Sequence, residues 1–382
     1  MPNYLTIESS MILWAIERSG KQLCDFDERV EAWLSNERKP TFRQLQKFAK
    51  SAMVPFGYLF LSNPPSEDLP VPDFRTRDDD TAPRPSPNLT ETIFDMERRQ
   101  DWMRDYLIDL GHSKLPFVGK YGIKKSAKAV ADDIRRELKL DATWASDLKD
   151  TATAIRSIRK RIENAGILIF LSGVVGNSTN RTLDADEFQG FVLIDDYSPL
   201  IFVNGTDAKT AQLFTVGHEL AHVWIGKGAI FNNIADGINP ESNVEKFCNR
   251  VAAELLMDKD AFLATWSSTP DGKRQAALSK LFKVSPIAIA VRAMNLKLIS
   301  KKKFFAMHRL YKKQLKSSVV ATSDGGNFWN TQNTRLGGVF GKAVVSAAKE
   351  GRISYSDAFS LTRLTRSSFN RYSERVRNGS DQ

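Results

Sequence analysis

The 382-residue chain predicts an α+β fold flanked by helices. Its parts are a helical module over 1–65, a Pro-rich linker over 66–90, a mixed domain over 91–315 and a helical extension over 316–382. Three observations carry that division. Apolar residues recur at helical spacing in the first part. Prolines and acidic residues then crowd Asn63 to Pro72 and Asp78 to Pro87, where regular structure cannot run. Finally, short β-branched and aromatic runs stand directly before an apolar helix that contains two histidines.

The elements follow in order. Ser9 to Gly20 reads as an amphipathic helix with Ile12, Leu13 and Ile16 on one stripe and Gly20 at its end. Arg29 to Leu34 is a second helix. Pro40 to Lys50 is a third, with Pro40 near its start and Phe42, Leu45, Phe48 and Ala49 as its apolar face. Val54 to Phe60 is a short fourth. From Asn88 the period is helical through Met96, Trp102, Tyr106 and Leu110, and the Trp102–Tyr106 pair reads as core rather than as a base-stacking platform. Ala127 to Leu138 and Asp150 to Ala165 are further helices. Ile167 to Leu171, Phe188 to Ile194 and Tyr197 to Val203 are strands, the last two paired through a turn at Asp195 and Asp196. Beyond Met257 the chain is helical again, with two short helices around Val284-Ser-Pro286 and a helical tail from Phe328 to Arg377.

Composition excludes several classes. A hydrophobic share of 42% and a charged share of 26% are those of an ordinary soluble globular protein. The longest apolar run, Ala165 to Val175, is too short to span a bilayer and reads as a buried strand. Met1 to Thr6 lacks the basic start and apolar core of a signal peptide. The two cysteines, Cys24 and Cys248, form no disulfide framework and are expected as small buried residues of a cytoplasmic protein with no membrane partner. A net charge of +10 tilts toward an anionic partner, nucleic acid or an acidic protein. The basic groups at Lys301 to Lys303 and Lys312-Lys313 read as solvated helix faces. Neither a phosphate-binding loop nor a dinucleotide fingerprint is present.

The chemistry is concentrated in His218-Glu219-Leu220-Ala221-His222, within Phe214 to Trp224. Residues four apart share a helix face, so His218 and His222 can aim ring nitrogens at one metal ion. Glu219 lies one position along, placed to take a proton from water rather than to bind the metal. A catalytic zinc needs a third protein ligand and an open position. No third histidine follows in Val223-Trp-Ile-Gly-Lys227, so a carboxylate from the next helix, Glu241 to Met257, is expected. Glu245 and Glu254 compete. At 100° per residue they lie about 180° apart, so one helix can offer only one of them. The face of Glu245 also carries Cys248, Asn249 and Ala252, small residues that permit close approach, which favours Glu245.

These segments resemble the ImmA/IrrE family of metallopeptidases: Phe214-Thr-Val-Gly-His-Glu-Leu-Ala-His222, then Glu245-Lys-Phe-Cys-Asn-Arg-Val-Ala-Ala-Glu-Leu-Leu-Met257, with Ile201-Phe-Val-Asn204 upstream like the strand before the family's site helix. In that family a Glu-x-x-Ala/Cys-Asn segment supplies the third ligand, which supports Glu245. Asp258 stands where the family often has proline, at a helix cap. The N-terminal stretch Trp33 to Thr41 resembles the second half of a Xre-type helix-turn-helix domain, and Asp73-Phe-Arg-Thr76 is similar to a segment that follows such modules. Ser19 to Val30 leaves little room for both a second and a recognition helix, which argues against specific base readout. A small packing or dimerisation module is the competing expectation.

The resemblance implies a zincin-like domain holding Zn²⁺ on His218, His222 and Glu245, with Glu219 as base. It also implies a cytoplasmic protein substrate of repressor or antitoxin type, with DNA as a further partner through the N-terminal module. Mn²⁺ or Fe²⁺ suits the same donors. The alternative from another class is a DNA-binding regulator or toxin–antitoxin component whose metal site is structural or sensory. Glu219→Gln separates the two, because only cleavage needs that carboxylate.

Overall fold

A computed structural model describes residues 4–65, 85–231, 243–317 and 328–378. Most of the expected linker, with Asp73 to Thr76, lies outside them. By backbone contacts the chain divides into two compact units, 1–95 and 96–382.

The first unit contains α1 (Ser9–Ser19), α2 (Arg29–Leu34) and α3 (Phe42–Ser51), with a 3-10 turn at Phe56–Phe60. Gly20 ends α1 in the left-handed conformation that glycine adopts at low cost. Thr41 and Gln44 form a reciprocal capping box at the start of α3. Ile12, Ile16, Trp33, Leu45 and Phe48 make the core, with Trp33 edge-on to Phe48 at 6.0 Å. Two residues assigned to apolar stripes are exposed instead. Leu13 sits one step off the stripe, which Met11 and Ala15 complete, and Phe42 covers Phe56 at 5.0 Å from the outside. Cys24 is also exposed, because its segment is a short 3-10 turn (Leu23–Asp25) with no buried residue. Only that turn lies between α1 and α2.

The second unit is built on a four-stranded sheet of β1 (Leu168–Ser172), β2 (Gly190–Leu193), β3 (Leu200–Asn204) and β4 (Ala229–Phe231), in the order β1-β3-β2-β4. β1 runs parallel to β3, and the other pairs are antiparallel. The sequence reading missed β4. Every residue of the first three strands is buried, which is why their sequences are continuous apolar runs. The β2–β3 turn is held by Asp195, whose carboxylate accepts the amides of Tyr197 and Ser198, both at 2.8 Å.

One face of the sheet, with Ile169, Leu171, Val192, Ile201 and Val203, joins the core formed with α5 (Ala127–Glu137), α6 (Thr151–Asn164) and α7 (Lys209–Ile225). The other face carries Phe170, Phe191 and Phe202, with the last two stacked at 5.0 Å. It is covered from α4 (Pro87–Asp109) by Arg99 over Phe170, and from α14 (Gly338–Lys349) by Phe340. Trp102 of α4 packs edge-on against Phe340 at 5.6 Å, the structural role expected of it. Gln100, also on α4, donates its amide to the carbonyls of Leu193 and Ser198.

The remaining helices are α8 (Asn243–Leu256), α9 (Lys259–Ser268), α10 (Arg274–Phe282), α11 (Pro286–Asn295), α12 (Lys301–Ser317), α13 (Phe328–Leu336), α15 (Tyr355–Thr362) and α16 (Arg366–Arg377). Asp258 is the N-cap of α9, accepting the amides of Asp260 and Ala261. The C-terminal helices belong to the same unit as the sheet. Arg159 and Arg99 donate to the last carbonyls of α13, and Glu163 accepts the amide of Gly338 at 2.7 Å. No helix of the described residues is long and apolar enough to cross a membrane.

Candidate metal centre

Helix α7 is buried nearly all round, and its sequence, Lys-Thr-Ala-Gln-Leu-Phe-Thr-Val-Gly-His-Glu-Leu-Ala-His-Val-Trp-Ile, has the apolar surround that burial requires. Its C-terminal end is fixed from outside. Gly119 and Tyr121 donate their amides to the Val223 and Trp224 carbonyls, each at 3.0 Å. Phe117 stacks on Trp224 at 4.5 Å, and the indole N–H of Trp224 donates to Asp133 at 3.1 Å. Gly226 ends the helix at φ 65°, where a Cβ would also lie 2.8 Å from the Gly119 Cα, so the position requires glycine twice over.

His218 and His222 come from this helix and Glu245 from the first turn of α8. The two histidine Nε2 atoms are 3.0 Å apart. The Glu245 carboxylate lies 2.9 Å from His218 Nε2 and 3.2 Å from His222 Nε2. All three candidate ligand atoms fall within 4.8 Å of one another.

The tautomers decide what this cluster is. A backbone carbonyl can only accept, so the 2.9 Å contact of His222 Nδ1 with the Lys227 oxygen places a hydrogen on Nδ1. His218 Nδ1 meets Asn249 Oδ1 at 3.0 Å in the same way. Burial pushes the His218 imidazole down to about 4, against the pull of Glu245 and Asn249, so the ring is neutral at pH 7. With a hydrogen on each Nδ1, both rings turn Nε2 toward each other and toward the Glu245 carboxylate. Burial works to raise the Glu245 carboxyl, but the two imidazoles facing it outweigh this and hold it below the ordinary carboxylate range. Two imidazole nitrogens and a carboxylate gathered at such distances make a donor set that fits a divalent metal ion. The rings are fully buried and Glu245 is 18% exposed, so solvent reaches the cluster on the carboxylate's side.

Glu219 is fully buried on α7. Its carboxylate lies against β2 at Gly190, where a built Cβ would come within 3.3 Å of Glu219 Oε1, 2.9 Å of the Phe202 carbonyl and 2.5 Å of the Thr215 methyl. Glycine there lets the strand approach the helix. The signal was legible as a lone glycine inside an apolar strand run.

Glu254 lies on the opposite face of α8 and pairs with Arg292 of α11 at 2.7 Å. It is not brought to the histidines. Cys248 is buried, and burial, with Glu245 and Glu219 adding, pushes its thiol upward, which keeps it neutral. His308 stacks on Phe304 of its own helix at 5.9 Å. The orienting groups of the histidines were not assigned from sequence. Asn249 had a signal, standing four residues from Glu245 on one helix face, whereas the Lys227 carbonyl had none.

Residues 162–294 match the family model of the IrrE N-terminal-like domain, Peptidase M78. Residues 336–375 match a family described as a domain of unknown function. No curated protein matches the chain. The first match spans all four strands and both helices of the cluster. It supports the ImmA/IrrE resemblance and suggests a metallopeptidase-like function.

Proposed function

We propose that the chain is a zinc-dependent endopeptidase in which His218, His222 and Glu245 hold the ion and Glu219 is the general base. One observation carries this reading: two imidazole nitrogens and a carboxylate converge, with the buried Glu219 next to His218 in the chain. The match of this span to a peptidase family supports it. When bound, zinc supplies Lewis acidity, polarising a carbonyl oxygen and acidifying water. Glu219 accepts the proton of the attacking water and returns it to the leaving amine, acting first as base and then as acid. Asn249 and the Lys227 carbonyl hold the imidazoles by Nδ1 and so turn both Nε2 atoms toward the cluster. An extended peptide would add to the sheet beside β4, because the β1 edge is occupied by α13 and no described strand pairs beyond β4. The substrate proposed is a cytoplasmic DNA-binding repressor or antitoxin, which rests on the family resemblance.

The test is the metal content of wild type, His222→Ala and Glu219→Gln by elemental mass spectrometry, followed by cleavage of a protein substrate. Wild type and Glu219→Gln should each hold about one zinc per chain and His222→Ala almost none. Glu219→Gln should then cut more slowly by about 10²–10⁴-fold. Wild type without metal after zinc is restored would sink the peptidase and favour the DNA-binding regulator. Full function in Glu219→Gln that still needs metal would make the site a sensor.

A further inference from the structure

Two helix–helix corners in the second unit are built alike. In α10–α11, Lys283 takes the left-handed conformation at φ 56° and ψ 28°, Val284 is buried, and Ser285 caps the next helix by accepting the Ala288 amide. In α15–α16, Arg363 takes φ 55° and ψ 24°, Leu364 is buried, and Thr365 caps by accepting the Ser368 amide. A helix, a three-residue turn and a second helix make the supersecondary unit that places its second helix in a DNA groove.

The corners differ in what the second helix presents. α11 turns its basic residue inward, Arg292 to Glu254, and buries Ile289, Ala290 and Ala293. α16 buries Phe369 and Tyr372 and exposes Arg366, Ser367, Asn370 and Arg371 along its first two turns. From Arg363 to Arg377 there are five arginines against one acidic residue, Glu374.

We propose that α15 and α16 form a DNA-docking unit, in which α16 lies in the major groove of duplex DNA with Arg366, Ser367, Asn370 and Arg371 toward it. The first turns of the second helix are those that reach base edges in such units. On a duplex of no particular sequence the guanidinium groups of Arg366 and Arg371 reach the phosphates that flank the groove, while Ser367 and Asn370 lie toward the base edges, where asparagine pairs with adenine. Charge selects the partner. The α16 face from Arg366 to Arg371 is basic and polar, and the exposed aromatic of the unit, Tyr355 at the start of α15, packs edge-on against Phe369. This unit falls in the span matched to a domain of unknown function and lies outside the metal centre, so its test is independent of peptide cleavage.

The experiment is fluorescence anisotropy of the full chain with a labelled random-sequence duplex, titrated between about 50 and 200 mM salt. Wild type is expected to bind with strong salt dependence. Arg366→Ala combined with Arg371→Ala should weaken binding at least about tenfold and lower the salt slope by about 2, because each phosphate no longer neutralised removes roughly 0.9. Arg366→Lys with Arg371→Lys, which keeps both charges, should retain the slope and so separates charge loss from misfolding. Lys301→Ala with Lys302→Ala should change neither quantity. No duplex binding by wild type at the lowest salt would overturn the proposal. An alanine double variant whose affinity and slope are unchanged would do the same.

Discussion

The two faces of α8 use the same side chain for opposite ends. Glu245 faces α7, where its carboxylate meets the Nε2 atoms of His218 and His222. Glu254, on the far side of the same helix, meets the guanidinium of Arg292, and both partners are largely buried. Arg135 adds hydrogen bonds to the Glu254 and Leu255 carbonyls at the end of α8. The first carboxylate faces two imidazoles in a donor set that fits a metal ion. The second is completed by a cation within the chain. A buried carboxylate is therefore a site or a strut according to whether its counter-charge is built in.

Three substitutions would break or sharpen this contrast. Glu245→Gln should have the largest effect, leaving metal content near zero on elemental analysis. Retention of one ion per chain would move the third ligand elsewhere. Glu254→Ala should leave metal content untouched but strand the Arg292 charge, lowering unfolding stability by about 3 kcal/mol in denaturant titration. Loss of metal without loss of stability would reverse the roles assigned to the two faces. The smallest effect is expected from Asn249→Ala, which frees the His218 ring to rotate and should weaken zinc binding by about 10–100-fold in competition with a chromogenic chelator. Unchanged affinity would mean that packing alone orients that ring.

The two helix corners show the same principle in the backbone. Their turn conformations agree to within a few degrees, yet α11 is packed into the unit and α16 is turned outward. Turn chemistry was legible at Val284-Ser-Pro286, whereas Leu364 and Thr365 fell inside a stretch read as one helical tail. Which of the two faces solvent was not legible, since that depends on helices remote in sequence.

Much of the fold was readable for local reasons. Period and caps placed the helices before the sheet within about two residues, and continuous apolar runs marked three fully buried strands, but the tail from Phe328 to Arg377, read as one helical piece, divides into four helices. The errors also have local causes. Leu13 and Phe42 lie beside apolar stripes, and spacing alone does not say how wide the buried stripe is. β4 is three residues long, too short for alternation to register. Cys24 belongs to a turn that buries nothing, so its residue type misled.

The sequence alone determined that His218 and His222 share a helix face, that Glu219 lies one step along, and that Glu245 and Glu254 cannot serve one ion together. These follow from the pitch of a helix, which is a local property. The small residues beside Glu245 favoured it in the sequence, and the tertiary structure decided the choice by packing that face of α8 on α7 and pairing Glu254 with Arg292. Tertiary structure alone brought Gly190 of β2 against Glu219 and set the Lys227 carbonyl against His222 Nδ1. Those are meetings of distant or irregular segments, fixed by packing and by the need to satisfy buried polar groups, and no periodicity encodes them.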